Sequence, residues 1–589
     1  MKKHGIAALS LALNMPCVDA PAQEEKDFLI QDGILIAYRG SAKAVTVPPH
    51  VMGIRDEAFV GCETLESISL PASLSSIGYR VFAYCSSLES LNLPAHLESI
   101  GDSAFQGCRS IVSLILPENL HSIGYGAFWG CSSLVSIDLP ADLNNIGDSA
   151  FSGCASLSFI NLPEGLRSLG DGVFSKCENL VSITLPHALS NIGDSAFQGC
   201  NSLSSITLPE SLRSIGNEAF SGCSNLSFIN LPEGLRIIGN EAFAYCSGLE
   251  SISIPASLDS LGESAFSGCE SLGALEAAAK NKVYASKDSV LFNKAFTELI
   301  TYPAGKSDPS YPVPAGITTI GDSAFAYCSN LESISFPEGV QSIGEKAFIS
   351  CSSLIALSLP EGLRSIGNEA FAHCSSLESI NLPENLQSLG ERVFERCSSL
   401  SSINIPSGMT SIGDSTFLWC SGLSSITLPE GVKSIGDLAF AECYSLESID
   451  LPQSLRTIGD SAFYECSGFS SIILPEGLRS IGDETFYGCE NLVSIEFPAS
   501  LHSIGDWTFA FCRNLSSISL PEGLKSIGYG TFVLCSNLSA ISLHAQKPPT
   551  LGVEPFPSYK PLAVPADLVD AYKNAPGWTD YSKQIVPLS

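Results

Sequence analysis

Residues 374–396 read CSSLESINLPENLQSLGERVFER, and most of the chain repeats this pattern with a period of 23 residues. Cysteine recurs at this interval from Cys62 to Cys269, and again from Cys328 to Cys535. A phenylalanine stands three residues before each of these cysteines, and a proline recurs at the same interval. One period shared by three residue types indicates a repeat protein, although 589 residues would otherwise suggest three or four separate domains.

The repeat is C-x-x-L-x-x-I-x-L-P-x-x-L-x-x-I-G-x-x-A-F-x-x. Its segment L-x-x-I-x-L nearly alternates apolar and polar residues and predicts a strand, which the proline ends because proline has no N–H to donate. A second short extended segment, L-x-x-I-G, follows, and its glycine permits a sharp corner. The stretch Asp148–Phe151, DSAF, resembles the start of a helix capped by the aspartate, with room for one or two helical turns.

A unit of this length cannot bury its own apolar face. Stacked in register, however, neighbouring units bury a continuous column of leucine, isoleucine, phenylalanine and alanine. The predicted fold is therefore a repeat solenoid of β-strand-rich coils with short helical or 3-10 turns. We expect it to be elongated or horseshoe-shaped and to have no enclosed cleft.

Two stretches break the period in a similar way. The segment Asp32-Gly33-Ile34-Leu35 aligns with Asp288-Ser289-Val290-Leu291, and each stretch opens an array of ten repeats. We interpret both stretches as hairpin modules, the alternative for the second being a decayed repeat with an insertion. The predicted segments are a signal peptide (1–22), an N-terminal hairpin cap (23–50), a first array (51–269), an irregular hairpin insert or degenerate repeat (270–315), a second array (316–543) and a C-terminal capping segment (544–589).

The first residues predict export. Lys2 and Lys3 precede a short apolar run, Ile6 to Met15, and small residues around Ala20 offer a cleavage site. Cys17 raises the alternative of a lipoprotein, but Asn14-Met15-Pro16 before it matches a lipobox poorly. No later stretch approaches eighteen consecutive apolar residues, so no membrane span is expected.

Charge narrows the range of partners. The formal net charge is -31, from 61 acidic and 30 basic residues. Such a chain is repelled by phosphate backbones and anionic lipid, which argues against nucleic acid or a membrane surface as its partner.

These repeats resemble the BspA-like subclass of leucine-rich-repeat surface proteins. Members of that subclass carry L-x-x-I-x-[IL]-P, I-G-x-x-A-F and a following cysteine at this spacing, and the match covers about Phe28 to Leu543. The resemblance implies a leucine-rich-repeat solenoid that is secreted or displayed on the cell surface. It also implies adhesion to host matrix proteins such as fibronectin or fibrinogen.

The side chains that often carry chemistry do not form an active site in this pattern. Each repeat cysteine lies in an apolar context, which predicts buried, reduced thiols. A ladder of thiols about 5 Å apart cannot supply the tetrahedral ligands of zinc. Disulfides between adjacent coils satisfy the Cα spacing, but the parallel Cβ vectors suit the required dihedral badly.

Other candidate chemistry is equally dispersed. The eight histidines have no metal-ligand spacing, and no nucleophile elbow, Walker loop or H-E-x-x-H motif is present. The carboxylates after the repeat glycine occur once per coil, which favours helix capping over calcium binding. We expect no catalytic residue, no cofactor site and no metal site, and therefore not an enzyme.

The remaining candidate is the surface. Strand positions that point away from the core form a strip of serine, threonine and asparagine, which two phenylalanines interrupt. Aromatic residues carry a large share of binding energy at interfaces. The predicted binding strip consists of Phe159, Asn161, Ser182, Thr184, Ser205, Thr207, Phe228 and Asn230. The alternative is that this serine-rich face only keeps the sheet soluble.

Three functions fit a solenoid without an active site. The first is a secreted or cell-surface binding protein, an adhesin for extracellular-matrix or other glycoproteins that gains affinity from many weak contacts. The second is a self-associating scaffold of a cell envelope. The third is recognition of a polysaccharide or another repeating lattice by the periodic hydroxyl groups. The sequence does not predict an oligomeric state.

Overall fold

The computed structural model describes residues 25–558 and 560–588. The predicted signal peptide, 1–22, and Cys17 lie outside the described residues. The chain divides into two compact units between Cys223 and Ser224. Each unit is a stack of coils, and each regular coil has a first strand before the repeat proline and a second strand before the repeat glycine.

In the first unit an antiparallel hairpin precedes the coils. Its strands are Phe28–Gln31 and Ile34–Tyr38. The first strands of the coils are Ala44–Thr46, Ser67–Ser69, Ser90–Asn92, Ser113–Ile115, Ser136–Asp138, Phe159–Asn161, Ser182–Thr184 and Ser205–Ile206. The second strands are Gly53–Ile54, Ser76–Ile77, Ser99–Ile100, Ser122–Ile123, Asn145–Ile146, Ser168–Leu169, Asn191–Ile192 and Ser214–Ile215.

The second unit continues the same plan around an insert. Its first strands are Phe228–Ile229, Ser251–Ile254, Ala274–Ala277, Ser310–Pro312, Ser333–Ser335, Ala356–Ser358, Ser379–Asn381, Ser402–Asn404, Ser425–Thr427, Ser448–Asp450, Ser471–Ile473, Ser494–Glu496, Ser517–Leu520 and Ala540–Leu543. The second strands are Ile237–Ile238, Ser260–Leu261, Thr319–Ile320, Ser342–Ile343, Ser365–Ile366, Ser388–Leu389, Ser411–Ile412, Ser434–Ile435, Thr457–Ile458, Ser480–Ile481, Ser503–Ile504, Ser526–Ile527 and Thr550–Leu551.

Equivalent strands of successive coils pair in parallel and in register. Ser402 pairs with Ser425 and Ile403 with Ile426, one repeat apart. The isoleucine of each such pair points inward and is buried, whereas its serine neighbours point outward. The predicted strands, their period and the solenoid fold are thereby confirmed.

The corner between the second strand and the cysteine differs from the prediction. We expected a short helix capped by Asp148, but residues 148–153 form consecutive turns. Ser149 has a φ of 56°, which interrupts a right-handed helix. The Asp148 carboxylate accepts a hydrogen bond from the backbone N–H of Asp171 in the next coil, at 2.9 Å. The predicted helix cap is therefore wrong, because this carboxylate joins two coils.

The repeat glycine serves close approach between coils. A Cβ atom on Gly459 would lie 2.7 Å from the backbone nitrogen of Asp437 and from the carbonyl carbon of Gly436, both in the preceding coil. Its φ does not lie in the left-handed region. The glycine is therefore needed because adjacent backbones nearly touch there, and the conformational freedom that we predicted for the corner is not the reason.

Phenylalanine and cysteine form two inner ladders. The ring centroids of Phe82 and Phe105 lie 5.4 Å apart, and those of Phe105 and Phe128 also 5.4 Å. These rings are fully buried, as are the cysteines that follow them. The buried rings form a column along the stack in the first unit, and in the second unit one continuous core extends from Val290 to Ile585.

The two breaks in the period share a tight turn. Asp32 and Gly33 join the N-terminal strands with φ values of 50° and 76°, and Asp288 and Ser289 join the insert strands with 53° and 62°. Two left-handed residues in succession are typical of a two-residue β-hairpin. The insert strands are Tyr284–Lys287, Val290–Asn293 and Glu298–Thr301, and successive strands pair antiparallel.

Each hairpin also starts a ring ladder. Tyr38 stacks on Phe59 at 5.3 Å, and Tyr302 stacks on Phe325 at 5.2 Å. A tyrosine thus occupies the first phenylalanine position in each case. The division of the chain into six segments stays a prediction.

The C-terminal segment covers the last coil with aromatic side chains. Phe556 continues the ring ladder at 5.9 Å from Phe532, and the buried Trp578 packs at 5.7 Å from Phe556. Tyr572 donates its hydroxyl hydrogen to the carbonyl oxygen of Ala545. The helices and remaining strands of the chain are the 3-10 helices Glu25–Asp27, Ala566–Leu568 and Thr579–Tyr581, the α-helix Val569–Lys573, and the strands Leu562–Val564 and Ile585–Pro587.

Replacing the repeat glycine tests its role in close approach. We expect Gly459→Ala to lower the free energy of unfolding by about 2–3 kcal/mol, because the added methyl group overlaps the backbone of the preceding coil. Gly408→Ala is the matched control, since a Cβ atom there meets nothing nearer than the Leu386 carbonyl oxygen at 4.0 Å. Urea denaturation of both variants measures the difference, and equal midpoints would contradict this role.

Candidate binding surfaces

The repeat cysteines are placed for packing rather than chemistry. All twenty are free thiols, and nineteen of them are buried, Cys62 being half-buried. The thiol of Cys85 donates to the carbonyl oxygen of Phe59 at 3.1 Å, and that of Cys397 to Phe371 at 3.2 Å. Each of these acceptors lies in the preceding coil, so the thiols help to join coils. Their predicted burial is confirmed.

Burial also changes the acidity of these thiols. It raises the pKa of Cys108, Cys154 and Cys200 to about 12. A thiol that keeps its proton at neutral pH is a poor nucleophile, so these residues do not offer covalent chemistry to a partner.

The predicted binding strip lies where the sequence placed it, on the outer side of the first strands. Phe159 pairs with Ser182, and Asn161 with Thr184, in neighbouring coils of the first unit. The same unit carries Ser205 and Thr207, and the second unit carries Phe228 and Asn230. The Phe159 and Phe228 side chains are 47% and 60% exposed. That these residues bind a partner stays a prediction.

Aliphatic residues that the sequence pattern did not reveal lie on the same face. Four apolar side chains besides Phe159 are exposed there in the first unit, and Ile115, at 81%, is the most exposed of them. We call this surface the strand-face patch. It consists of Val112, Ile115, Val135, Phe159 and Val181.

Backbone hydrogen bonds show that the patch is continuous. The N–H of Val135 donates to Val112, that of Ser158 to Val135, and that of Val181 to Ser158, at 2.8–3.2 Å. The patch therefore crosses four successive coils. Its valines were missed because β-branched residues beside a strand indicate a core in the sequence, whereas only the register shows which of them point outward.

A groove borders this patch. It has a volume of about 720 Å³ and lies along the first strands Ser90–Asn92 and Ser113–Ile115. Ile115 and Asn119 stand on one side of it and Asn92 on the other. An exposed apolar row beside a polar groove is the composition expected of a surface that binds another protein.

The insert produces a separate cavity in the second unit. Its volume is about 340 Å³, and its lining includes Glu263, Tyr284, Glu298 and Asp322 but no lysine or arginine. Burial raises the pKa of the Glu298 carboxyl, and the nearby Asp322 raises it further. The cavity therefore disfavours anions.

Neither a metal centre nor a membrane span is found among the described residues. No group of three or more histidine, cysteine, aspartate or glutamate side chains in residues 25–558 and 560–588 is placed to hold a metal ion. The same residues contain no helix that is both long and apolar enough to cross a membrane.

Comparison with known proteins places the repeats in a family. The sequence profile of the BspA type leucine rich repeat region matches residues 37–158, 144–273, 309–423, 393–485 and 456–556. A search of curated proteins found no match.

Several solved structures are similar to this chain. A leucine-rich repeat protein from Bacteroides ovatus is 29% identical, over 67% of this chain and 94% of that protein, with a TM-score of 0.46. A leucine rich cell surface protein from Faecalibacterium prausnitzii is 26% identical, over 73% of this chain and 95% of that protein, with a TM-score of 0.39.

The raised thiol pKa values predict instability at high pH. An unfolded thiol has a pKa of about 8.5, so above that value the unfolded chain binds fewer protons than the folded chain. The stability that Cys108, Cys154 and Cys200 contribute is therefore present in full below about pH 8.5 and is lost towards pH 12, by about 1.4 kcal/mol per pH unit for each of these three thiols.

Denaturation midpoints from pH 8 to 11 test this expectation. The triple variant Cys108→Ala, Cys154→Ala, Cys200→Ala should have a shallower pH dependence than the parent chain, whatever its stability at pH 8. Ser136→Ala is the control, because the exposed Ser136 hydroxyl does not titrate in this pH range, and it should keep the parent slope. An unchanged slope in the triple variant would show that these thiols do not limit alkaline stability.

Proposed function

Because this chain belongs to the BspA type leucine-rich repeat family, we propose that it is a secreted or cell-surface protein that acts as an adhesin. Its partners would be extracellular glycoproteins, with fibronectin and fibrinogen as the candidates that the family resemblance implies. A repeat protein of this kind binds through its surface, because its interior is filled by the core column.

The strand-face patch is the observation that carries this proposal. Val112, Ile115, Val135, Phe159 and Val181 expose apolar side chains on a face that most other coils fill with polar residues such as serine, threonine, asparagine and glutamate. The fold does not require them, because the residues of those other coils occupy the same positions. Removing such side chains from water requires a partner surface, and an exposed aromatic residue at the centre of a patch is typical of a binding anchor.

Polar residues surround the apolar side chains of the patch, as is typical of a surface that binds a protein. Ser136 and Asp138 lie on the same coil as Val135, and Ser182 on the same coil as Val181; all three are exposed or half-exposed. An apolar centre with a polar rim excludes water from the contact while leaving hydrogen-bonding groups at its edge.

A double variant of the patch tests the proposal. Phe159→Ser and Ile115→Thr introduce residues that other coils have at these two positions, such as Ser182 and Thr184, so the fold is kept. We expect the dissociation constant for immobilised fibronectin or fibrinogen to rise about thirtyfold, corresponding to about 2 kcal/mol. The measurement is surface plasmon resonance at physiological ionic strength.

The matched control is Ile473→Thr, which removes a 66%-exposed isoleucine from a first strand of the second unit. It should bind like the parent chain. If folded, monodisperse protein bound neither glycoprotein, the adhesin assignment would fail. An increase in particle size with concentration would then favour the self-associating scaffold, and binding to a glycan array would favour recognition of a polysaccharide.

A further inference from the structure

The residue before each repeat cysteine adopts a left-handed backbone conformation. Every such residue has a φ between about 53° and 75°. In the first unit six of the eight are glycine, whereas in the second unit only two of the twelve are. Glycine adopts this conformation without strain, so the backbone of the fold favours glycine at this position.

Large aromatic residues occupy this position in the second unit. Trp419 has a φ of 62° and Phe511 a φ of 61°. A side chain other than glycine costs about 1 kcal/mol or more in this region, and the cost is greatest for bulky residues. Because Gly488 occupies the same position in the coil preceding that of Phe511, the stack does not need an aromatic ring there.

These two rings belong to a larger set on the same corner of the coils, which we call the turn-face cluster. The Tyr464 and Tyr487 rings stack at 4.9 Å, and Phe511 follows at 5.0 Å from Tyr487. Trp419 meets Tyr444 edge to face at 6.4 Å. All five side chains are exposed or half-exposed. The cluster lies beside the repeat cysteines, outside the first strands, and shares no residue with the strand-face patch.

A groove of about 370 Å³ opens within this cluster. Gly488 lies in it and is buried, and a Cβ atom added there would meet the Glu465 side chain at 2.8 Å. The groove therefore exists because one coil lacks a side chain between the Glu465 and Phe511 coils. Tyr444, Tyr487 and Phe511 supply aromatic walls.

The charged groups of the groove favour a cation. Glu465 and Glu490 line it together with a single basic residue, Arg513. Burial raises the pKa of the Tyr464 hydroxyl to about 12, and the Glu465 charge contributes to this rise. The negative charge of Glu465 also attracts a positive group from a partner.

Arg513 already shows the geometry of such a contact. Its guanidinium carbon lies 5.9 Å from the centre of the Phe511 ring, and its Nε lies 3.2 Å from a Glu490 carboxylate oxygen. A cation between an aromatic face and a carboxylate gains from both. Glu465 lies on the same groove and forms no equivalent ion pair with any residue in the described part of the chain.

We propose that this groove binds a lysine or arginine side chain of a polypeptide partner. The aliphatic part of that side chain would lie against Tyr487 and Phe511, and its charged end would reach Glu465. This inference does not depend on the strand-face patch, because it concerns other coils in the second unit. It also accounts for the Phe511 ring at a position that glycine fills in the preceding coil.

Binding of a short Gly/Ser peptide that carries lysines tests the inference, with the full chain at physiological ionic strength. The same peptide with every lysine acetylated is the probe control. We expect Glu465→Gln and Tyr487→Ser each to weaken binding about tenfold, because each removes one of the two contacts to the cation. Other coils have serine at the Tyr487 position, such as Ser175 and Ser221, so the fold tolerates it.

Two further variants separate this groove from general charge attraction. Glu361→Gln removes one exposed carboxylate elsewhere in the second unit and should change the affinity less than twofold. Arg513→Ser removes the competing cation and should strengthen binding. Equal losses in Glu465→Gln and Glu361→Gln would overturn the inference, as would equal binding of the acetylated peptide. Binding of a neutral oligosaccharide, but not of the lysine peptide, would replace it with a glycan site.

Discussion

The structure depends on one constraint, which is that successive coils stack in register about 5 Å apart. Strand pairing enforces this spacing on the two strands of each coil, as in the pairing of Ser402 with Ser425. The phenylalanine rings repeat it, with centroids 5.4 Å apart for Phe82 and Phe105. At this spacing an inward side chain touches its own equivalents above and below. An inward position therefore suits residues of one size and polarity in every coil. Phenylalanine and cysteine recur without change, and leucine is replaced only by other apolar residues, such as Ile111 and Phe469.

The same spacing between coils explains why glycine and cysteine recur in every regular repeat. The repeat glycine is needed where two backbones nearly touch, as Gly459 shows against Gly436. Cysteine fits the adjacent corner because its side chain is small and apolar, and because its thiol hydrogen reaches a carbonyl oxygen of the preceding coil, as Cys85 does with Phe59. These contacts need a neighbouring coil on at least one side. At the ends of the stacks other aromatic residues take the place of the missing phenylalanine, such as Tyr38 at the start of one ring ladder and Trp578 at the end of another.

The sequence predicted those features that depend on the repeat itself. The period, the two strands, the inward column and the outward strip all follow from residues that recur at fixed positions. The corner at Asp148 was mispredicted because its local pattern is that of a helix start, whereas its hydrogen-bond partner, the N–H of Asp171, lies one repeat away. The outward placement of Val112 and Val135 was missed for a related reason. A single sequence shows that these residues are apolar, but only the register of the stacked coils shows on which side they lie.

Residues that differ from their equivalents in other repeats give the most information about function. An outward residue that matches its equivalents adds solubility and little else, whereas one that differs has no structural reason to do so. Phe159 departs from serine on the strand face, and Trp419 and Phe511 depart from glycine at the turn. The second departure carries a conformational cost, because their φ values lie in the left-handed region. Gly488 occupies the same corner of its coil without a side chain. The stack therefore does not gain stability from these aromatic rings. We therefore attribute the Phe511 ring to contacts outside the stack, and the acidic groove that it lines indicates which kind of group makes those contacts.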